Sequence, residues 1–164
     1  MPDFEIKVTI PPESIAYLRK LYQMPRGVPS AIQRGLDRGL EAVKENLIEN
    51  RLSGAGPFAP SQHRLGDRSG NLRGSVYARS VIGGGKVTGV IGSDVIYAPV
   101  HEYGAVISAK NAPFLVFRVL GKIVRAKSVT IPERAPFRTE IESDKSTKLI
   151  SREIVDEIEE LASE

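Results

Sequence analysis

Residues 95–137 read VIYAPVHEYGAVISAKNAPFLVFRVLGKIVRAKSVTIPERAPF. An apolar run ends in His101-Glu102-Tyr103-Gly104, a polar linker follows, and two more apolar runs flank Leu120-Gly121-Lys122. The stretch closes on Ile131-Pro132-Glu133-Arg134-Ala135-Pro136-Phe137. Each run is strand length, rich in Val, Ile, Phe and Tyr, and stops at Gly or Pro, which predicts sheet edges and hairpins rather than helix. Pro132 and Pro136 have no N–H to donate, so no ladder continues through them. At the end of the first run His101, Glu102 and Tyr103 are candidates for contact with backbone groups or with an arginine, and Gly104 lets the chain turn. Arg134 is placed to meet a carboxylate such as Glu102 or Glu133. Phe137 is the expected last core anchor before a final helix.

Outward from this stretch, Phe4-Glu5-Ile6-Lys7-Val8-Thr9-Ile10 alternates apolar and polar residues, the pattern of a strand with one buried face. Pro11-Pro12-Glu13-Ser14 stops it, and Ile15, Leu18, Leu21 and Tyr22 then recur at helical spacing, with Pro12 suited to a first turn. The segment from Met24 to Pro29 ends that helix, and Ser30 is a good N-cap for the next. Ile32, Leu36, Leu40, Val43, Leu47 and Leu52 form a stripe opposite Arg34, Asp37, Arg38, Glu41, Lys44 and Glu45, predicting a long amphipathic helix over 30–52 that packs on the sheet. A coiled coil is the second reading, although no strict heptad is kept. Gly35 and Gly39 each cost about 1 kcal/mol against Ala in a helix, for which close backbone approach or simple tolerance is the reason.

Residues 53–70, SGAGPFAPSQHRLGDRSG, are too rich in Gly, Pro and Ser for a regular element and predict a flexible basic loop. Contact with a protein partner is the first reading of this loop; Arg64 and Arg68 within it and Arg73 beyond it also suit a surface facing DNA phosphates, and plain exposure is the remaining one. Leu72–Ile82 and Lys86–Gly92 predict a hairpin around Gly83-Gly84-Gly85. Gly83-Gly84-Gly85-Lys86 is not a phosphate loop, because Val87 stands where Ser or Thr would hold magnesium and no helix pattern follows. His101-Glu102 is not half of a zinc-protease helix, since position 105 is Ala and the context predicts strand. A last helix over about 138–162 carries the stripe Ile150, Ile154, Ile158 and Leu161. Glu153, Asp156, Glu157, Glu159 and Glu160 form its acidic back. These acids crowd the negative end of the helix dipole, so Glu157 and Glu160 are candidates for contact with a basic neighbour.

A chain of 164 residues is expected to form one domain with a core of its own. Hydrophobic residues make up 41%, which argues against disorder throughout. No run approaches the roughly 18 apolar residues of a membrane span, and the first residues lack signal-peptide character, so a soluble cytoplasmic product is expected. The absence of Cys removes disulfides, thiolate catalysis and Cys-based zinc sites, and His63 and His101 are the only histidines. Through Arg138 there are 20 Lys and Arg against 11 Asp and Glu, net +9, whereas 139–164 hold 3 against 9, net −6. Such a division suits contact between the acidic tail and a neighbour's basic body, or one surface for nucleic acid and one for protein; a solvated helix face is the plain alternative.

Three segments carry a resemblance: Ser69-Gly70-Asn71-Leu72-Arg73, then Tyr97-Ala98-Pro99-Val100-His101-Glu102-Tyr103-Gly104, then Val129-Thr130-Ile131-Pro132-Glu133-Arg134-Ala135-Pro136-Phe137. In this order, with a helix before and after, the chain from Ile6 to Glu142 resembles the tailed-phage neck proteins, grouped as virion morphogenesis, tail-completion or head-tail joining proteins. Their matching segments read roughly TGxLRxS, YAxxHExG and IPxRPFL. Ser69 stands here where Thr is commoner, and Ala135 is inserted between Arg134 and Pro136. The resemblance implies a structural virion protein, assembled in the bacterial cytoplasm and forming a ring of six or twelve copies around the DNA channel. It also implies portal, adaptor or stopper proteins on the head side and a tail terminator or tail tube on the other, subunit or partner contact near the corner of His101, Glu102, Tyr103 and Arg134, and no cofactor, metal or catalytic residue. A terminator capping the tail tube, or a basic nucleic-acid-binding module outside any virus, is the alternative function. An enzyme is disfavoured because no nucleophile-base pairing, metal spacing or cofactor loop is found. The expected fold is α+β, an antiparallel or mixed sheet against the long helix with a C-terminal helix beside it.

Overall fold

The computed structural model describes residues 4–22, 27–119 and 121–163. Met24 to Arg26 of the expected break, the side chains of Leu21 and Tyr22, and Leu120 of the expected turn lie outside the described residues. The fold is α+β, with antiparallel strands. The alternating N-terminal segment forms β1 (Phe4–Ile10), which joins β2 (Val76–Gly83) and β3 (Lys86–Ser93) in a sheet of order β1-β3-β2. In the register, β3 sets Ser93 opposite both Phe4 and Val76, and Val87 opposite both Ile10 and Ile82. The β2–β3 turn is made by Gly84 and Gly85, both at positive φ, the conformation that a tight two-residue hairpin demands.

Helix α1 (Pro12–Tyr22) follows the first strand, and α2 (Val28–Arg51) lies across the sheet. The start of α2 is earlier than its sequence predicts. Gly27 is the cap residue, its carbonyl accepting from the Ser30 and Ala31 amides, and Pro29 fits the first turn, where a missing N–H costs nothing. Ser30 is therefore an exposed first-turn residue and not the cap. Two faces of α2 are buried. Leu36 and Leu40 reach Gly89 of the central strand, where a Cβ would lie 2.7 Å from Leu40 Cδ1. Gly35 and Gly39 meet α6 (Asp144–Ser163), where a Cβ on Gly35 would stand 2.5 Å from Ile154 Cα and one on Gly39 2.8 Å from Ile150 Cα. Close backbone approach is thus the reason for both glycines. Pairing 35 with 154 and 39 with 150 makes the helices antiparallel, so sheet, α2 and α6 form three layers.

Several boundaries differ from expectation. Leu72 opens no strand but lies in α3 (Asn71–Gly74), one turn before β2. The run through His101 is α4 (Ala98–Tyr103), not a strand: Pro99 sits in a first turn, and Gly104 ends the helix at φ 71. The last helix is broken into α5 (Pro136–Ile141) and α6. Ser143 caps the second piece, its Oγ accepting from the Ser146 amide at 3.2 Å. Phe137 is 1% exposed, the core anchor its position predicts. Between α4 and α5 the chain runs out and back as two ribbons. β4 (Ala105–Ser108) pairs with β7 (Ser128–Ile131), and β5 (Leu115–Val119) with β6 (Lys122–Ala126). No helix among the described residues is long and apolar enough to cross a membrane.

Candidate functional site

Two of the resembling segments, far apart in sequence, lock together at one corner, and the first lines the cleft beside it. Glu102 is fully buried on α4, and its two carboxylate oxygens accept from the Phe137 and Arg138 amides, each at 3.0 Å. A carboxylate from one helix thereby satisfies the open amides of another, α5, at the end where the dipole favours negative charge. Backbone bonds repeat the junction: Arg134 N–H donates to the His101 carbonyl at 3.0 Å, and Ala135 N–H to that of Glu102 at 3.2 Å. Ala135, the inserted residue, takes a left-handed conformation at φ 45 and serves as the cap of α5. Gly104 has no room for a side chain, since a Cβ would lie 2.8 Å from the Glu133 nitrogen. Burial pushes the Glu102 carboxyl above the usual carboxylate range, and the amides of Arg138 and Phe137 pull it back.

Arg134 meets neither Glu102 nor Glu133. Glu102 is taken by the two amides and Glu133 pairs with Arg138, so the Arg134 guanidinium turns to the 53–70 loop and donates to the carbonyls of Phe58 at 2.7 Å and Arg64 at 3.4 Å. His63 returns the contact, its Nδ1 2.8 Å from the Arg134 carbonyl. The loop is further held by Leu65 N–H to Arg51 O at 2.7 Å, Asp67 N–H to Gly54 O at 3.0 Å, and the Arg64 guanidinium 4.5 Å over the Phe58 ring. A short 3-10 turn, Pro60–Gln62, is its one regular piece. The loop and the corner enclose an open cleft of about 690 Å³, lined in part by Arg64, Arg68, Arg73, Tyr97, His101 and Arg134.

The structure thus brings together Arg64, Arg68 and Arg73 with His101 and Arg134. Arg73 approaches Asp67 at 3.9 Å, and Arg64 Nε and His101 Nδ1 are buried without a hydrogen-bond partner among the described residues. Burial, then the charge of Arg134, holds the His101 imidazole below its ordinary pKa. Tyr103 is 56% exposed, with its ring edge-on to Phe4. Glu160 lies apart on α6 and is exposed. Glu157 is not on the acidic back: it is 1% exposed, facing α2, with Oε2 accepting from Arg34 Nε at 2.7 Å. Arg38 Nη1 lies 2.6 Å from the other oxygen, an ion pair set off the hydrogen-bond direction. Arg34 and Arg38 therefore do within the chain what a neighbour's basic face was expected to do for Glu157.

Sequence reasoning missed Arg51, which bonds the buried Glu140 at 2.8 Å, and the Phe58 carbonyl that anchors Arg134. Helical spacing placed Arg51 near the end of the long helix without naming a partner, and nothing in the sequence marks a particular carbonyl. Ser75 and Ser69 serve local structure: Ser75 Oγ donates to the Leu72 carbonyl and lies 2.7 Å from Ser93 Oγ, and Ser69 Oγ accepts from the Asn71 amide. Among the described residues no cluster of His, Asp and Glu is arranged to hold a metal. Comparison with protein-family models, curated proteins and solved structures finds no match to this chain.

Proposed function

We propose that this chain is a structural protein of a tailed-phage virion, a ring subunit of the neck that joins head to tail or completes the tail around the DNA channel. The observation that carries the reading is that the second and third resembling segments lock on one buried junction, Glu102 to the Phe137 and Arg138 amides, from which the β4–β7 arm leaves the body, while the first lines the cleft beside it. Invested in a rigid corner, the motif residues fix where the arm and the 53–70 loop stand, which is what a subunit repeated about an axis requires. A portal, adaptor or stopper protein would meet such a ring on the head side, a terminator or tail tube on the other, with six or twelve copies in the circle. The arginines along the cleft favour non-specific contact with the passing DNA backbone. The same cleft supports the second reading, a nucleic-acid-binding module, which predicts tight binding by the isolated chain. A terminator capping the tail tube is the alternative within the neck.

Gold labelling of a tagged chain in virions tests the proposal. Label at the head-tail junction is expected; virions carrying none of the chain would contradict it.

A further inference from the structure

From Ala105 to Ile131 the chain forms one antiparallel arm, β4 on β7 at the base and β5 on β6 at the tip, joined by Ala109 N–H to the Lys127 carbonyl at 3.0 Å. A two-stranded ribbon alone is marginal in water, and this one turns apolar side chains outward. Val116 faces Arg125 and Arg118 faces Ile123. These pairs are two residues apart, so they share a face with valine and isoleucine on one diagonal and two guanidinium groups on the other. Val116 is 65% and Ile123 63% exposed. The arm holds Lys110, Arg118, Lys122, Arg125 and Lys127 and no acidic residue. Among the described residues no salt bridge takes any of these cations.

The matching surface is on α6. Among the described residues Val155, 45% exposed, is the one exposed large apolar side chain on α2 or α6. Exposed Asp156, Glu159 and Glu160 follow it, and the last turn of α6 has no basic residue. Arg152 bonds Glu153 and lies in the field of Asp156, but no salt bridge among the described residues reaches Glu159 or Glu160. At the negative end of a helix dipole these carboxylates gain from an added cation. The outward ridge of α2, Asp37, Glu41, Glu45 and Glu49, is as acidic but has no exposed large apolar side chain at its centre.

We propose that the Val116, Arg118, Ile123 and Arg125 face of the arm docks on the Val155 to Glu160 surface of α6 in a second copy of this chain. The apolar diagonal covers Val155, and the two arginines reach the carboxylates beside it. A copy that gives its arm to one neighbour keeps its helix free for another, so the contact is head-to-tail and propagates until rotation closes a ring. The inference rests on the ring reading above and names the surfaces that meet.

Paired charge reversal in the full-length chain is the test, read by sedimentation velocity at low ionic strength. Arg118→Glu with Arg125→Glu sets an acidic arm against an acidic helix, and Glu159→Arg with Glu160→Arg sets a basic arm against a basic helix. Each variant alone is expected to lose association by at least about tenfold, and an equimolar mixture to recover it, because every contact in an alternating ring is again between opposite charges. Circular dichroism like that of the parent shows that each variant folds. As the parent has no Cys, Ile123→Cys and Val155→Cys in one chain provide a second reading, a ladder of disulfide-linked oligomers on oxidation. Parent oligomers that persist in both charge variants with no ladder would overturn this contact while leaving a ring built by other surfaces. A parent that stays monomeric at low salt and high concentration would overturn it as well. Recovery in the mixture together with virions free of the chain would keep the contact and remove the neck role.

Discussion

Gly35→Ala sets two effects of opposite sign against each other. In an exposed helix the substitution stabilises by about 1 kcal/mol, because alanine loses less backbone entropy than glycine. Here the new Cβ would stand 2.5 Å from Ile154 Cα and 2.6 Å from the Glu153 carbonyl oxygen, both backbone atoms that no rotamer change can move. Ordinary contact between carbon atoms begins near about 3.5 Å, so α6 has to retreat by about 1 Å. That retreat opens the packing of Ile150, Ile154 and Ile158 and draws Glu157 away from Arg34 and Arg38. Overpacking of a rigid site costs about 3 kcal/mol at the upper end of its usual range, which leaves a net loss of about 2 kcal/mol after the propensity gain. For a chain of this size that lowers the melting temperature by roughly 4–8 °C. Urea unfolding followed by circular dichroism measures it, with Gly74→Ala, exposed in α3 with nothing within 4 Å, as the unhindered control that keeps its stability or gains up to about 1 kcal/mol. A Gly35→Ala protein as stable as its parent would refute the close crossing of α2 and α6.

Glu102→Ala strands two amides at the start of α5 and is expected to cost about 3 kcal/mol in thermal or urea unfolding, with Glu102→Gln, which keeps one good acceptor, losing about half as much. Arg134→Ala releases the Phe58 and Arg64 carbonyls, so limited trypsin digestion at Arg64 and Arg68 should accelerate by about tenfold while global stability changes less. His101 is held neutral by burial and by Arg134, its folded pKa lying below the unfolded one. The stability this gives is present above the ordinary imidazole pKa and is lost as pH falls from there through the folded value, and His101→Gln should flatten that part of a stability-against-pH curve.

What the sequence disclosed follows the length of its periodic segments. β1 shows seven residues of alternation and α2 more than six turns of stripe, enough repeats for the burial pattern to declare itself. α4 has six residues, under two turns, so its apolar run looks the same as a strand, and Pro99, usable in a first helical turn, reads equally as a strand terminator. The break before α6 was visible in principle, for Ser143 heads a capping sequence, but the acidic and apolar pattern continues across it. The charge of Glu157 makes it read as part of the acidic back and a contact for a basic neighbour, although its spacing from Ile154, Ile158 and Leu161 sets it on the buried stripe. Its partners, Arg34 and Arg38, flank the glycines that bring the two helices together. The corner residues His101, Glu102 and Arg134 were found by motif, whereas their partners, backbone amides and a loop carbonyl, carry no residue identity for a sequence to reveal.

The most direct measurement is electron microscopy of the particles formed when the gene for this chain is removed from the phage or prophage that encodes it. The neck account predicts filled heads beside finished, unattached tails, with abnormally long tails in the terminator variant of the role. Complete, infectious particles would contradict it, and the arginine-lined cleft would then be explained as a nucleic-acid site.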